Sequence, residues 1–300
     1  MASLLVVVLS FACGVWLRRS PRLPADAHKA LNAFVLDIAL PAVVLRAVPR
    51  LPMDATLLAA AAMPWLVFGL AFALLWPLGR ALGLSVKTRG ALVLTAGLGN
   101  TSFVGFPMLE ALLGPESLPV AVVIDQLGSF FVLSLPGIAL ATAWAGGAAD
   151  PKQLALRIIR FPPFVALLVG AATIPFGGFP PIVDQALERI GATLTPLAMA
   201  SVGLQLTLGE VRKRAAPLAL GLGFKLVLAP LAMALLYLPT LGLTDMTRVV
   251  VLEAAMGPMI SAGIIAQERD LDPELVTLML GVGIPLSFVT VTLAAWFLGA

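Results

Sequence analysis

The chemistry this chain can offer sits in a few polar residues inside long apolar runs. Asn100-Thr101-Ser102 lies in a charge-free run from Gly90 to Leu109. Asp125 and Gln126 are neighbours in another run, and Asp37, Lys225 and Glu253 each interrupt one. An asparagine amide can donate to a carboxylate, or it can complete backbone groups left open by an interrupted helix. The hydroxyls of Thr101, Ser102 and Ser261, together with free carbonyls, can hold a cation or an anion's polar edge. Asp125, with Gln126, and Glu253 are candidates for binding a proton or a coupling cation. Lys225 can attract an anion or pair with an acid. Ionisable residues at membrane depth are costly and are pathway candidates by default. Plainer roles stand beside each reading. Asp125 can serve as a polar pairing between helices, and Asp37 and Glu253 can lie near helix ends. Lys225 sits eight residues into its run, about 12 Å by helix rise, within reach of snorkelling to a surface.

Glycine and proline surround these groups. Gly97 to Pro107 holds three glycines, Asn100, Thr101, Ser102 and a proline, and Ala255 to Gly263 holds Gly257, Pro258 and Ser261. Proline removes a backbone donor, and glycine permits close approach. In lipid such a break persists only where protein or a water-lined cavity satisfies its backbone. The two stretches read as broken membrane helices, with Gly99, Gly105 and Gly257 permitting the breaks and Pro107 and Pro258 enforcing them. A broken helix offers free N–H groups and positive potential at one end, and carbonyls at the other. The alternative is a pair of ordinary kinked helices.

The chain as a whole supports a membrane setting. Its 300 residues are 60% hydrophobic and 12% charged, with mean hydropathy +1.03. A soluble domain carries about twice that charge. The composition implies an all-α polytopic membrane protein rather than a β-barrel, which needs short alternating segments. Cys13 is the sole cysteine, so no internal disulfide forms, and His28 reads as a solvated interfacial residue. The first apolar run lacks a basic leader, so a retained helix is expected rather than a cleaved signal. There is no G-x-S-x-G elbow, H-E-x-x-H pair or Walker loop, and no repeated pore filter. Enzyme chemistry, direct ATP drive, a metal site and nucleic-acid binding are therefore not expected.

Ten spans are expected, at about 2–17, 30–48, 55–78, 90–112, 118–145, 154–176, 186–208, 217–238, 249–267 and 275–298. The odd-numbered connections and their helix ends hold 14 basic residues, the even-numbered ones four. The positive-inside rule then puts the odd connections in the cytoplasm and both termini outside. Residues 1–150 and 151–300 each hold five spans, and an odd number per half forces opposite orientations. Spans 4 and 9 carry the breaks, which is the pointer to an inverted repeat with discontinuous helices. Small residues such as Gly69 and the Ala59–Ala62 run suit contacts within one chain or in a homodimer.

Several stretches taken together resemble the auxin efflux carrier family, especially its short bacterial members. They are Leu31 to Pro41, Gly99 to Pro107, Ala121 to Gln126, Leu197 to Gly203, and Met256 through Glu274. The resemblance implies a ten-helix fold akin to the bile acid/sodium symporter group, with spans 4 and 9 crossing. It implies a scaffold of spans 1, 2, 6 and 7 and a moving transport domain of spans 3–5 and 8–10. It implies a secondary transporter of a small organic anion such as malonate, malate or an auxin-like acid. No cofactor is implied, only H+ or Na+ as a coupling ion, membrane lipid as surroundings and the bacterial inner membrane as location. The family's crossover asparagine and prolines match Asn100, Pro107 and Pro258. Many relatives carry a second asparagine shortly after the later proline, where this chain has Ser261, which weakens an auxin assignment. A sodium-coupled bile-acid-like symporter and a carboxylate receptor that does not transport are the alternatives.

Overall fold

The computed structural model of the chain describes residues 2–24, 26–51, 56–206 and 211–299. The expected span boundaries at Ala55 and Leu208 fall outside these. Among the described residues the regular structure is helical. Five helices are long and apolar enough to cross a bilayer: Ala27–Arg50, Thr56–Ala81, Pro115–Trp144, Ala215–Leu241 and Pro273–Phe297. A sixth forms if the bent pair Pro151–Ile159 and Pro162–Phe176 counts as one crossing. Two shorter apolar helices are Ser3–Leu17 and Thr101–Leu113. The molecule is thus an all-α, multi-pass membrane protein. Exposed Leu, Val, Phe and Trp are abundant on its outer surface, as a lipid-facing surface requires.

Two expected spans are interrupted. The stretch 154–176 bends by 57° between Ile159 and Pro162. The Pro162-Pro163 pair starts a new helix there and lacks the donors to continue the old one. The stretch 186–208 is preceded by a helix, Pro181–Gly191, which carries Asp184, Glu188 and Arg189. The chain restarts as Leu194–Gln205 after a turn at Ala192 and Thr193.

The helices can be followed as two neighbourhoods that also touch each other, with Ala2–Leu17 on Phe106–Leu113 and Leu194–Gln205 on Thr101–Gly105. Ala2–Leu17 lies along Leu194–Gln205, and Leu40–Ala47 packs on Pro162–Thr173 and Pro181–Gly191. The first contact is close because it is made over glycine. A Cβ on Gly14 would collide with the Ala200 carbonyl, and one on Gly203 with the Phe11 carbonyl. Elsewhere Thr56–Ala81 packs on Val86–Gly97, Asp245–Ala255 on Ala229–Leu241, and Pro273–Phe297 on Val86–Gly97 and Ile260–Glu268. Three of the long helices also contain π-helical turns: Val35–Ala39, Ile124–Ser129 with Leu133–Gly137, and Phe224–Leu228, while another, Thr101–Gly105, begins the segment Thr101–Leu113. Such bulges insert one residue, shift the face that follows and often occur at functional sites.

Candidate functional site

Two helices are interrupted at the centre of the second neighbourhood. Val86–Gly97 begins at Ser85, whose hydroxyl accepts from the Thr88 amide, and ends where Leu98 becomes extended. Helical structure resumes at Thr101 and runs to Leu113. Asp245–Ala255 starts at the Thr244 capping box and ends at Met256, and a helix resumes at Ile260. The breaks lie against each other as an antiparallel bridge between Gly99 and Pro258. The Asn100 amide donates to the Gly257 carbonyl at 2.8 Å, and the Met259 amide donates to Leu98 at 3.0 Å. Backbone groups that no helix can satisfy thus satisfy each other away from water.

Glycine permits this proximity. A Cβ at Gly99 would lie 2.9 Å from Lys225 Nζ, and one at Gly257 would lie 2.9 Å from Ser287 Oγ and 3.0 Å from the Ile284 backbone. Pro258 sits in its break. Pro107 lies in the first turn of Phe106–Leu113, beyond the non-helical residues 98–100. Pro107 thus lies inside the continuous helical segment Thr101–Leu113, just after its π-helical turn, and does not stand in the break itself.

The polar side chains gather around the bridge. Asn100 is 2% exposed. Its Oδ1 accepts from the Phe103 amide at 3.2 Å and caps the helix, while its Nδ2 has no partner. The Thr101 hydroxyl donates to Asp125 Oδ1 at 2.5 Å, and Gln126 Nε2 donates to Asp125 Oδ2 at 2.7 Å. Asp125 is therefore a fully met carboxylate that ties the first half-helix to Pro115–Trp144. Lys225 is 1% exposed and lies in the π-helical turn Phe224–Leu228. It does not snorkel: its Nζ donates to the Ala254 carbonyl at 3.0 Å, at the C-terminal end of Asp245–Ala255. Glu253 is wholly buried, and neither carboxylate oxygen has a hydrogen-bond partner. It faces Gly105 so closely that a Cβ there would lie 2.5 Å from Oε2.

Ser102 is buried and Ser261 half-buried in the first turns of the two half-helices. Asp37 is exposed and stands apart from the cluster. Sequence reasoning missed the buried hydroxyls of Ser129 and Ser134, which also lack partners. Ser129 follows Asp125 by four residues, a helical spacing that was readable. Among the described residues no group of three or more His, Cys, Asp or Glu is arranged to hold a metal ion.

Two cavities flank the crossing. One of about 600 Å³ touches Asn32, Gln205, Ile260, Ile264 and Ile284, and reaches the connections at Arg18 and Gln267. The other, of about 590 Å³, touches Phe106 and Glu110 and reaches Arg50, Glu116 and Glu188. Each cavity thus borders one half-helix that begins at the crossing, and the two reach opposite sets of connections. Two broken helices joined by their backbones, with a cavity beside each, form an arrangement suited to a passage.

Comparison with known proteins agrees. A family model described as "Membrane transport protein" matches residues 1–295. The chain belongs to this family. It is a membrane transporter, grouped with the auxin efflux carriers, and the family assigns it transport rather than catalysis. This transporter is 30% identical over 297 residues to an uncharacterized transporter of Methanothermobacter thermautotrophicus, covering 97% of this chain and 95% of the other. It is 26% identical over 212 residues to an uncharacterized transporter of Methanocaldococcus jannaschii, covering 68% of each. It is also 26% identical over 223 residues to a Rhizobium meliloti protein named "Putative malonate transporter", covering 71% and 68%.

Proposed function

We propose that this transporter moves a small organic anion, a carboxylate of the size of malonate or malate, by alternating access. The observation that carries the reading is the unspent Nδ2 donor of Asn100, buried where two half-helices begin. Helix N-termini favour anions. One carboxylate oxygen would take the Asn100 amide hydrogen, and the other the free N–H groups of the first turns near Ser102 and Ser261. A buried donor without an acceptor is costly, so a ligand that supplies one binds with a clear advantage. The malonate name of the Rhizobium meliloti relative points to the same class.

The proposal includes ten crossings in two inverted halves, 1–150 and 151–300, with both termini outside and a fold akin to the bile acid/sodium symporter group. The short helix Ala2–Leu17, the bent pair, the 181–205 segment and the two broken helices supply the crossings beyond the long ones. Spans 1, 2, 6 and 7 would be the scaffold, and the helices around the crossing the moving body. The two cavities would be successive routes to one site. A proton, sodium or the anion's own gradient would drive the cycle. An inside-negative potential favours anion efflux by roughly 2.3 kcal/mol per charge per 100 mV.

Uptake of labelled malonate, malate and indole acetate into proteoliposomes tests this, with proton, sodium and electrical gradients imposed one at a time. Saturable flux of an acid, sensitive to its driving gradient, is the expected result. Specific binding with no flux under any gradient overturns the proposal in favour of a receptor.

A further inference from the structure

We propose that the Lys225 ammonium is a built-in structural cation at the joined breaks, standing where a bound sodium ion would otherwise be needed, so that this transporter runs without sodium. The inference rests on the transport reading above and assigns Lys225 a role other than substrate binding. Broken helices bring two kinds of ends together. The N-terminal ends, at Asn100 and Met259, suit an anion. The C-terminal ends, at Gly97 and Ala255, present carbonyls and suit a cation. Each helix end carries about half an elementary charge. The C-terminal end of Asp245–Ala255 thus carries roughly half a negative charge at a place from which water is excluded, and a cation seated on its carbonyls is favoured there.

Lys225 supplies that cation. Its Nζ donates to the Ala254 carbonyl in the last turn of Asp245–Ala255. The position of Gly99 fixes the other side. A Cβ there would lie 2.9 Å from Nζ and 3.4 Å from the Glu253 carbonyl oxygen. The ammonium thus rests between the carbonyl end of one broken helix and the backbone of the other break. Among the described residues, Lys225 is the only fully buried lysine or arginine. Its charge also acts on the buried Glu253, whose second charged neighbour is Asp125.

Two consequences separate this role from the others open to a buried lysine. A substrate carboxylate placed at Nζ would face the helix carbonyls, which repel it, so the anion belongs at the Asn100 end. A sodium ion placed among the same carbonyls would compete with a tethered ammonium at very high effective concentration. Lys225 is a positioning residue: it rests on the carbonyl end of Asp245–Ala255 and against the backbone at Gly99 without touching the substrate.

The test uses the full chain in proteoliposomes and whichever acid of the malonate, malate and indole acetate panel is transported. Wild-type flux should be unchanged when sodium is replaced on both sides by N-methylglucamine. Lys225→Ala should lose most of its flux per folded molecule. Ethylammonium or sodium should then restore a large part of the Lys225→Ala flux, and sodium should do nothing for the wild type. Lys225→Arg should remain independent of sodium. Wild-type flux that requires sodium overturns the inference. So does a monodisperse Lys225→Ala protein that transports normally without sodium, or that neither cation rescues. If Lys225→Ala fails to fold, the wild-type sodium series and Lys225→Arg decide alone, and an arginine variant that acquires sodium dependence counts against the inference. Absence of flux in the wild type under every condition would instead refute the transport reading itself.

Discussion

The side chain of Asn100 does two separable things, and one substitution splits them. Oδ1 accepts from the Phe103 amide at 3.2 Å, while Nδ2 is buried and spare. Asn100→Asp keeps an acceptor for the cap and replaces the spare donor with a second acceptor. The cap is worth about 1 kcal/mol and should survive in the aspartate. The lost hydrogen bond to a charged carboxylate is worth about 1.5–3 kcal/mol. At 1.4 kcal/mol per tenfold, affinity should fall by roughly 10- to 150-fold before any repulsion between the two carboxylates is counted. Asn100→Ala loses both functions and should melt earlier as well as bind more weakly. The assay pairs calorimetric titration of malonate or malate with thermal unfolding of the purified protein in detergent. Weak binding with a near-normal unfolding temperature is expected for Asn100→Asp. Equal affinity in the wild type and Asn100→Asp would show that Nδ2 does not meet the anion, and the site would have to be moved elsewhere.

Three further substitutions probe the surroundings. Gly105→Ala would place a Cβ 2.5 Å from Glu253 Oε2. The carboxylate must retreat by nearly 1 Å to reach ordinary contact, an overpacking that costs about 1–3 kcal/mol. Flux should fall with stability, and Glu253→Asp in the same chain should recover stability by making room. A Gly105→Ala protein with unchanged unfolding temperature and flux would mean that Glu253 is free to turn away. Thr101→Val removes the 2.5 Å hydroxyl bond to Asp125. Thermal unfolding should register a loss of about 1.5–3 kcal/mol, which Thr101→Ser largely avoids; equal stability of the valine and serine variants would refute the importance of that bond. Gly203→Ala would push a Cβ into the Phe11 carbonyl and to 2.8 Å from the Val15 amide. Backbone cannot yield as a side chain can, so stability should drop by about 1–3 kcal/mol while affinity per folded molecule stays constant. A change in affinity would tie this helix pair to the binding site.

Much of the architecture was legible because lipid punishes irregularity. Single glycines and prolines are carried within unbroken helices, as Pro64 and Pro285 are, but the dense mixtures from Gly97 to Pro107 and Ala255 to Gly263 pointed to breaks, and the structure has one in each. The expected first helix coincides with Ala2–Leu17 because apolar length alone defines it. The stretch 154–176 reads as one apolar run, and the 57° bend at Pro162-Pro163 was not anticipated. Other features left no local trace. The π-helical turn Phe224–Leu228 has the sequence of an ordinary membrane helix, and only packing against neighbours selects the extra residue. Depth along a helix can be counted, but the direction of a side chain cannot. Lys225 and Glu253 were therefore ambiguous between surface and centre until tertiary contacts turned both inward. The pairing of Asn100 with Gly257 joins residues 157 positions apart, and no spacing rule reaches that far.

The bridge between the two breaks is made entirely of main chain. Its donors are the amides of Asn100 and Met259, and its acceptors are the carbonyls of Gly257 and Leu98. Alanine at Leu98, Asn100 or Met259 keeps the same amide and carbonyl and leaves the four groups in place, whereas a Cβ at Gly99 or Gly257 would crowd the joint. Only a change of the polymer itself cuts it: proline at position 259, or an ester in place of one amide. The hub of the molecule can therefore tolerate side-chain drift at Leu98, Asn100 and Met259, while its two glycines and its backbone groups stay fixed.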